Sequence, residues 1–172
     1  NMTESNISPE GVPAPKLKYI MTYQADLSPA QNINRDRVVW DAAPTGGWVK
    51  DIWGNKGKLI PPSGDWMTVL PNGTLYQDVR ATVLMDDGAM LFVEYKGKVK
   101  WKEHVPKKIE TGEPITWEDH EYFINSPTIT TESEKYGWMN NVVFINKVVE
   151  VQLNNDKKMY VRYDTYQVVM HP

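Results

Sequence analysis

The chain contains no cysteine. Disulfides, thiolate nucleophiles and cysteine-ligated metals are therefore excluded. Histidine is scarce, with three in 172 residues, and His104, His120 and His171 are too scattered to suggest a metal site, so neither metal nor cofactor is expected. His120, within Glu118-Asp119-His120-Glu121, is expected in a solvated charged turn. No apolar run approaches the ~20 residues of a membrane-spanning helix. The polar N-terminal stretch has no apolar segment of the kind a signal peptide carries, so a cytoplasmic location is expected. Neither sign of charge dominates; the net charge of −3 argues against a nucleic-acid surface. Phosphate-binding glycine loops, dinucleotide fingerprints and G-x-S-x-G elbows are missing.

What is present is period-two patterning. Between Leu75 and Asp86, Leu75, Gln77, Val79, Ala81, Val83 and Met85 fall on one side, and Tyr76, Asp78, Arg80, Thr82 and Leu84 on the other. Alternation over this length indicates a strand. Asp87-Gly88 and Asn72-Gly73 are hairpin dipeptides, so Asp65 to Tyr95 reads as three consecutive antiparallel strands. If each dipeptide is a two-residue loop, Arg80 falls between Asp65 and Tyr95. That register puts Asp65, Arg80 and Tyr95 on one polar face, with Tyr76 and Asp78 nearby. Val79, Ala81, Val83, Met90 and Phe92 would share the other face, covered by further elements or a partner.

Elsewhere, residues 1–16 hold three prolines and several polar residues, and read as a flexible N-terminal arm before a single domain over 17–172. Strands are expected at Leu17–Ala25, Arg35–Ala42, Trp48–Trp53, Glu121–Ile129, Tyr136–Ile145, Val148–Leu153 and Met159–Met170. Breaks are expected at Pro44–Gly47, Pro61–Gly64 and Asn146-Lys147. The lysine-rich run after Tyr95 reads as an edge or loop. Thr116-Trp117-Glu118-Asp119 has the spacing of a helix-initiating box. The fold class is all-β: a single closed antiparallel barrel of roughly ten strands with little helix.

A barrel with one polar face suggests a polar lumen. A lumen aspartate against an apolar wall would have a raised pKa and could exchange protons, Arg80 could hold an anionic group, and tyrosines could donate hydrogen bonds. The candidate catalytic group is Asp65, Arg80 and Tyr95, with Trp66, Tyr76, Asp78, Tyr136, Trp138 and Asn140 as candidate ligand-binding residues. Alternation puts Trp66 on the face opposite Asp65. A structural Asp65–Arg80 pair is the plainer alternative.

SGDW at Ser63–Trp66, DVR at Asp78–Arg80, DDGA at Asp86–Ala89, Tyr95, YFINSP at Tyr122–Pro127 and KYGWMN at Lys135–Asn140 occur in an order that resembles the DUF3237 family of unknown function. The resemblance runs from about Leu17 to Val169. It implies a barrel similar in architecture to allene oxide cyclase and dirigent barrels, which take hydrophobic or phenolic molecules into the lumen and steer cyclisation or coupling without metal. Pro61-Pro62-Ser63 before Gly64 departs from the family pattern and points to a different lumen entrance.

Three functions follow as expectations. The first is a barrel that binds a small hydrophobic or aromatic molecule, as a cofactor-independent isomerase, cyclase or hydratase for an aromatic or polyketide-like compound. The second is a non-catalytic carrier using the same lumen. The third is a structural module with a packed lumen that forms a homo-oligomer. No nucleic acid or membrane partner is expected.

Overall fold

In the computed structural model, which describes residues 6–171, the chain forms one closed antiparallel barrel. Its strands are β1 (Lys16–Leu27), β2 (Gln31–Asn34), β3 (Arg37–Asp51), β4 (Lys56–Val69), β5 (Leu75–Met85), β6 (Met90–Trp101), β7 (Ile115–Thr116), β8 (His120–Asn125), β9 (Thr128–Thr130), β10 (Phe144–Gln152) and β11 (Met159–Val169). The order β1-β11-β10-β8-β6-β5-β4-β3 closes through β1–β3 pairing, which makes eight barrel strands with β2, β7 and β9 attached at the margins. Closure leaves the barrel strands without a free edge.

Several expected breaks are bends within strands. Pro44–Gly47 lies inside β3, whose pairing with β4 jumps between Asp41 and Val49. Pro61–Ser63 lies inside β4, at a register shift between Ile60 and Gly64. There the Ser63 hydroxyl donates to the Ile60 carbonyl and accepts the Thr82 N–H. That stretch is therefore a bulge in the wall, not the entrance. Asn146-Lys147 sits within β10; of the strand expected at Tyr136–Ile145 only Phe144 and Ile145 are strand, and the residues before them form a loop with a short 3-10 helix at Gly137–Asn141. The lysine run contributes to a strand paired on both sides, since Lys96, Lys98 and Lys100 alternate outward along β6 between β5 and β8. It then continues into helix α1 (Val105–Thr111). The box at Thr116 opens a 3-10 turn at Trp117–Asp119, with both reciprocal hydrogen bonds made.

The expected arm is partly described. Residues 1–5 lie outside the described residues, and the exposed stretch from residue 6 onward folds back through an Ile7–Pro13 bridge before β1.

The two hairpins decide which side chains face inward. Each has three loop residues, not two. The Leu70 N–H donates to the Thr74 carbonyl and the Met85 N–H to the Ala89 carbonyl, while Gly73 and Gly88 occupy positive φ of 85° and 91°. This is the turn-plus-bulge hairpin, in which glycine takes the left-handed position. The register consequently moves by one residue on both sides of β5, and a one-residue slip reverses every side chain. Val79, not Arg80, lies between Asp65 and Tyr95. The inward face of β5 is Gln77, Val79, Ala81 and Val83, all buried. The face expected to point outward thus lines the lumen. Met90 and Phe92, expected to share it, are exposed on the outer wall.

Candidate functional site

Alternate residues of every barrel strand point inward and surround a cavity of about 240 Å³. At one end its lining is fully buried, including Met21, Val49, Leu59, Val83, Leu91 and Ile129. The segment between β9 and β10 packs nearby: Trp138 stacks edge-on against Trp53, and the Thr131 hydroxyl donates to the Met90 carbonyl. At the other end Leu27, Val38, Met67, Leu75, Trp101 and Leu153 line the cavity and are only half-buried. The cavity therefore opens at the end carrying the β4–β5 hairpin and α1.

Strand register builds a polar belt into this apolar wall. Gln77 pairs with Gly97, Gly97 with Asn125, Asn125 with Asn146 and Asn146 with Thr165. The side chains follow the same path. Asn125 Nδ2 donates to Gln77 Oε1 at 3.2 Å, Asn146 Nδ2 to Asn125 Oδ1 at 2.8 Å, and the Thr165 hydroxyl to Asn146 Oδ1 at 2.6 Å. Gly97 makes this possible, because a Cβ there would stand 2.4 Å from Asn125 Cβ and 2.6 Å from Gln77 Oε1. Two tyrosines join the belt: Asn146 Nδ2 donates to the Tyr23 hydroxyl at 2.7 Å and Gln77 Nε2 to the Tyr163 hydroxyl at 3.0 Å. Their rings pack at 5.4 Å, and Tyr95 stands edge-on to Tyr163 at 6.0 Å. Burial holds all three phenols well above their ordinary pKa, so they are neutral donors at physiological pH.

Asp65 stands beside this cluster. It is 7% exposed, and its Oδ1 accepts the Asp78 N–H at 2.9 Å. Burial pushes its carboxyl up to about 6, with the Asp78 charge adding to the rise and hydrogen bonds from Asp78 N–H and Gln77 opposing it. A carboxyl there can give or take a proton near neutrality.

His120 is a further titratable lumen residue. It begins β8 opposite Trp101, lines the cavity and is 8% exposed, so the solvated turn expected for it is incorrect. Its Nδ1 is 2.9 Å from the Thr116 carbonyl, while Nε2 has no partner. Burial lowers its pKa.

Of the residues singled out from sequence, Asp65 and Tyr95 share the lumen. Arg80 does not: it lies exposed on the outer wall with its guanidinium 4.9 Å from the centre of the Trp66 ring. Tyr76 and Asp78 share the outward phase of β5, and Trp66 is exposed as alternation required. Tyr136, Trp138 and Asn140 fall outside the cavity lining, in the segment near the buried end. Asn140 there binds the Thr131 backbone through both its oxygen and its nitrogen. Gln77, Asn125, Asn146, Tyr23, Tyr163 and His120 were not singled out. Their signal was period-two phase: Tyr23 alternates with Met21 and Ala25, and Tyr163 with Val161 and Thr165. Among the described residues no cluster of three or more acidic or histidine side chains could hold a metal ion, and no helix is long and apolar enough to cross a membrane.

Fold and lumen define the class: a closed antiparallel barrel with an apolar cavity open at one end and a polar belt across its wall. The model of a family described as protein of unknown function (DUF3237) matches residues 15–168, and the chain belongs to that family. A UPF0311 protein of Clostridium acetobutylicum is 32% identical over 89 residues, covering 52% of this chain and 56% of the relative. For one from Bradyrhizobium diazoefficiens the matched share is 58%, so the chain spans little more than half the length of these curated relatives. A conserved protein of unknown function from Rhodopseudomonas palustris superposes with a TM-score of 0.78 at 24% identity, covering 92% of this chain and 99% of that one. A chain described as an enzyme from Penicillium herquei superposes with a TM-score of 0.57 at 19% identity, covering 90% and 94%. At these identities the superpositions establish the fold alone.

Proposed function

We propose that this protein is a cytoplasmic barrel that takes a compact aromatic or polyketide-like molecule into its lumen and moves a proton on it, as an isomerase, cyclase or hydratase would. The observation that carries the reading is Asp65: a carboxyl buried in an apolar wall, with its pKa raised to about 6, beside neutral phenols. In an enolisation the Asp65 carboxylate takes a proton from carbon α to a carbonyl. The electron pair of the broken C–H bond moves onto the carbonyl oxygen, and Tyr95 or Tyr163 stabilises that charge by hydrogen bonding. Where a further C=C is conjugated with the enolate, return of the proton to the γ-carbon shifts the double bond and completes an isomerisation with nothing consumed. Attack by the enolate carbon on a second carbonyl within the same molecule closes a ring, and the alkoxide formed there takes back the proton that Asp65 removed. Neither outcome requires a cofactor. The structurally similar Penicillium herquei chain is described as an enzyme, which is compatible with catalysis on this fold.

The test uses 2-tetralone, a bicyclic ketone with acidic α-hydrogens. Proton NMR in deuterated buffer near neutral pH follows exchange at its α-carbon, and fluorescence titration follows binding. The expected result is exchange at least ~10-fold above buffer, lost in Asp65→Asn while binding persists. Binding without accelerated exchange would favour the carrier reading, which uses the same lumen. Absence of binding would overturn both. Homo-oligomer formation, the third reading, is tested by light scattering of the purified protein.

A further inference from the structure

Among the described residues, His120 Nε2 is the one buried side-chain nitrogen or oxygen without a hydrogen-bond partner. Buried polar groups are normally satisfied, and an exception calls for an explanation. The geometry around the ring supplies one. Nδ1 lies 2.9 Å from the Thr116 backbone carbonyl, which can only accept. Nδ1 therefore carries the proton, and Nε2 of the neutral ring presents a bare lone pair. The ring lines the cavity and sits at its open half, opposite Trp101. Phe123 links it to the phenol cluster, with ring centres 5.1 Å from His120 and 5.7 Å from Tyr163. The two polar poles are thus within reach of a single bicyclic molecule.

We propose that His120 Nε2 selects the lumen ligand by accepting a hydrogen bond from it, so that the ligand class is a hydroxylated aromatic or enol whose O–H faces His120. This rests on the lumen-binding reading and adds the ligand's polarity to it. A ligand carrying only an acceptor at that position, such as a methyl ether, leaves Nε2 unsatisfied. As the side chains pack here the Nε2 edge is covered. Half-buried Trp101, facing His120 across the β6–β8 pairing, is placed to move aside as the ligand enters. The depressed pKa of the ring agrees with a neutral acceptor.

The test compares 2-naphthol with 2-methoxynaphthalene by fluorescence titration of the wild type and His120→Phe. The wild type is expected to bind the naphthol about tenfold more tightly, equivalent to about 1.4 kcal/mol. His120→Phe should bind both with the affinity the wild type has for the ether. A second measurement is independent of that variant's folding. In ¹⁵N NMR of the wild type, the His120 Nε2 resonance should begin in the range of an unprotonated ring nitrogen and move upfield with 2-naphthol, but not with the ether. Equal binding of the two probes by the wild type, or a preference that survives in His120→Phe, refutes the role of His120 and leaves the lumen reading intact. Failure of both probes to bind removes the lumen reading and this inference together.

Discussion

Replacing Asp65 by asparagine is expected to stabilise the protein, and to do so only above about pH 5. The carboxyl is 7% exposed, and its pKa rises from an ordinary 3.8 to about 6 on folding, chiefly through burial. An acid with a higher pKa folded than unfolded binds protons preferentially in the folded state. The stability it contributes is complete below 3.8 and is lost as pH rises through about 6. A rise of roughly two pKa units at ~1.36 kcal/mol each makes the loss at neutral pH about 3 kcal/mol. Asparagine does not titrate, and its Oδ1 still accepts the Asp78 N–H that Asp65 accepts at 2.9 Å. Wild type and Asp65→Asn should therefore be about equally stable near pH 4, and the variant more stable by up to about 3 kcal/mol near pH 7.5. Urea unfolding followed by tryptophan fluorescence at pH steps between about 4 and 8, with unchanged m-values, measures the difference. Two curves that stay parallel across this range would refute the assignment. So would a wild type that is the more stable protein at pH 7.5.

Two further substitutions separate the lumen from the outer wall. Arg80→Ala removes a cation–π contact of 4.9 Å on the exposed surface, so stability in urea should change by less than about 1 kcal/mol. Affinity for 2-naphthol should be unaltered, whereas a lost affinity would return Arg80 to the binding site. Gly97→Ala drives a methyl group to within 2.4 Å of Asn125 Cβ and 2.6 Å of Gln77 Oε1. Thermal and urea unfolding should register a loss of about 1–3 kcal/mol, together with weakened ligand binding, because the belt must shift to admit the methyl group.

The barrel was legible in the sequence because period-two alternation survives whatever the strands pair with. What alternation cannot supply is phase. Asp87-Gly88 and Asn72-Gly73 each support a two-residue loop or a three-residue loop with a bulge. The choice depends on whether Asp86 and Pro71 join the loop, as they do here. Both hairpins take the longer form, so the two register errors have the same sense on either side of β5. Asp65 and Tyr95 remain in one row because the shifts cancel between β4 and β6, and β5 alone turns over, exchanging Arg80 for Val79. The bulge in β4 was hidden for a related reason. Two prolines cannot donate to a ladder and read as a break, yet Ser63 supplies the hydroxyl that holds the Thr82 N–H across the gap. The polar belt was the least legible feature, because its five positions come from five strands and become neighbours only through register. His120 was read as solvated because its sequence neighbours are acidic, but Asp119 turns to Lys108 and His104 at 2.8 and 2.6 Å, which leaves the imidazole inside.

The polar groups of the lumen divide into two kinds, and the division separates architecture from chemistry. Gln77, Asn125, Asn146, Thr165 and the hydroxyls of Tyr23 and Tyr163 hydrogen-bond one another. Each satisfies its neighbour, so together they fix the register of five strands across an apolar cavity, and a truncation among them would strand its partner. Asp65 and His120 behave differently. Burial disfavours the charged form of both, and one of them keeps a bare nitrogen. An apolar side chain at position 120 would avoid that cost, and at position 65 asparagine would keep the acceptor for the Asp78 N–H without it, so the folded chain does not need the ionisable group at either place. Both stand near the phenol cluster, Asp65 acting on Tyr95 and Tyr163 and His120 linked to Tyr163 through Phe123, one able to exchange a proton near neutrality and the other to accept a hydrogen bond. A molecule spanning that cluster would give each of them what the protein does not.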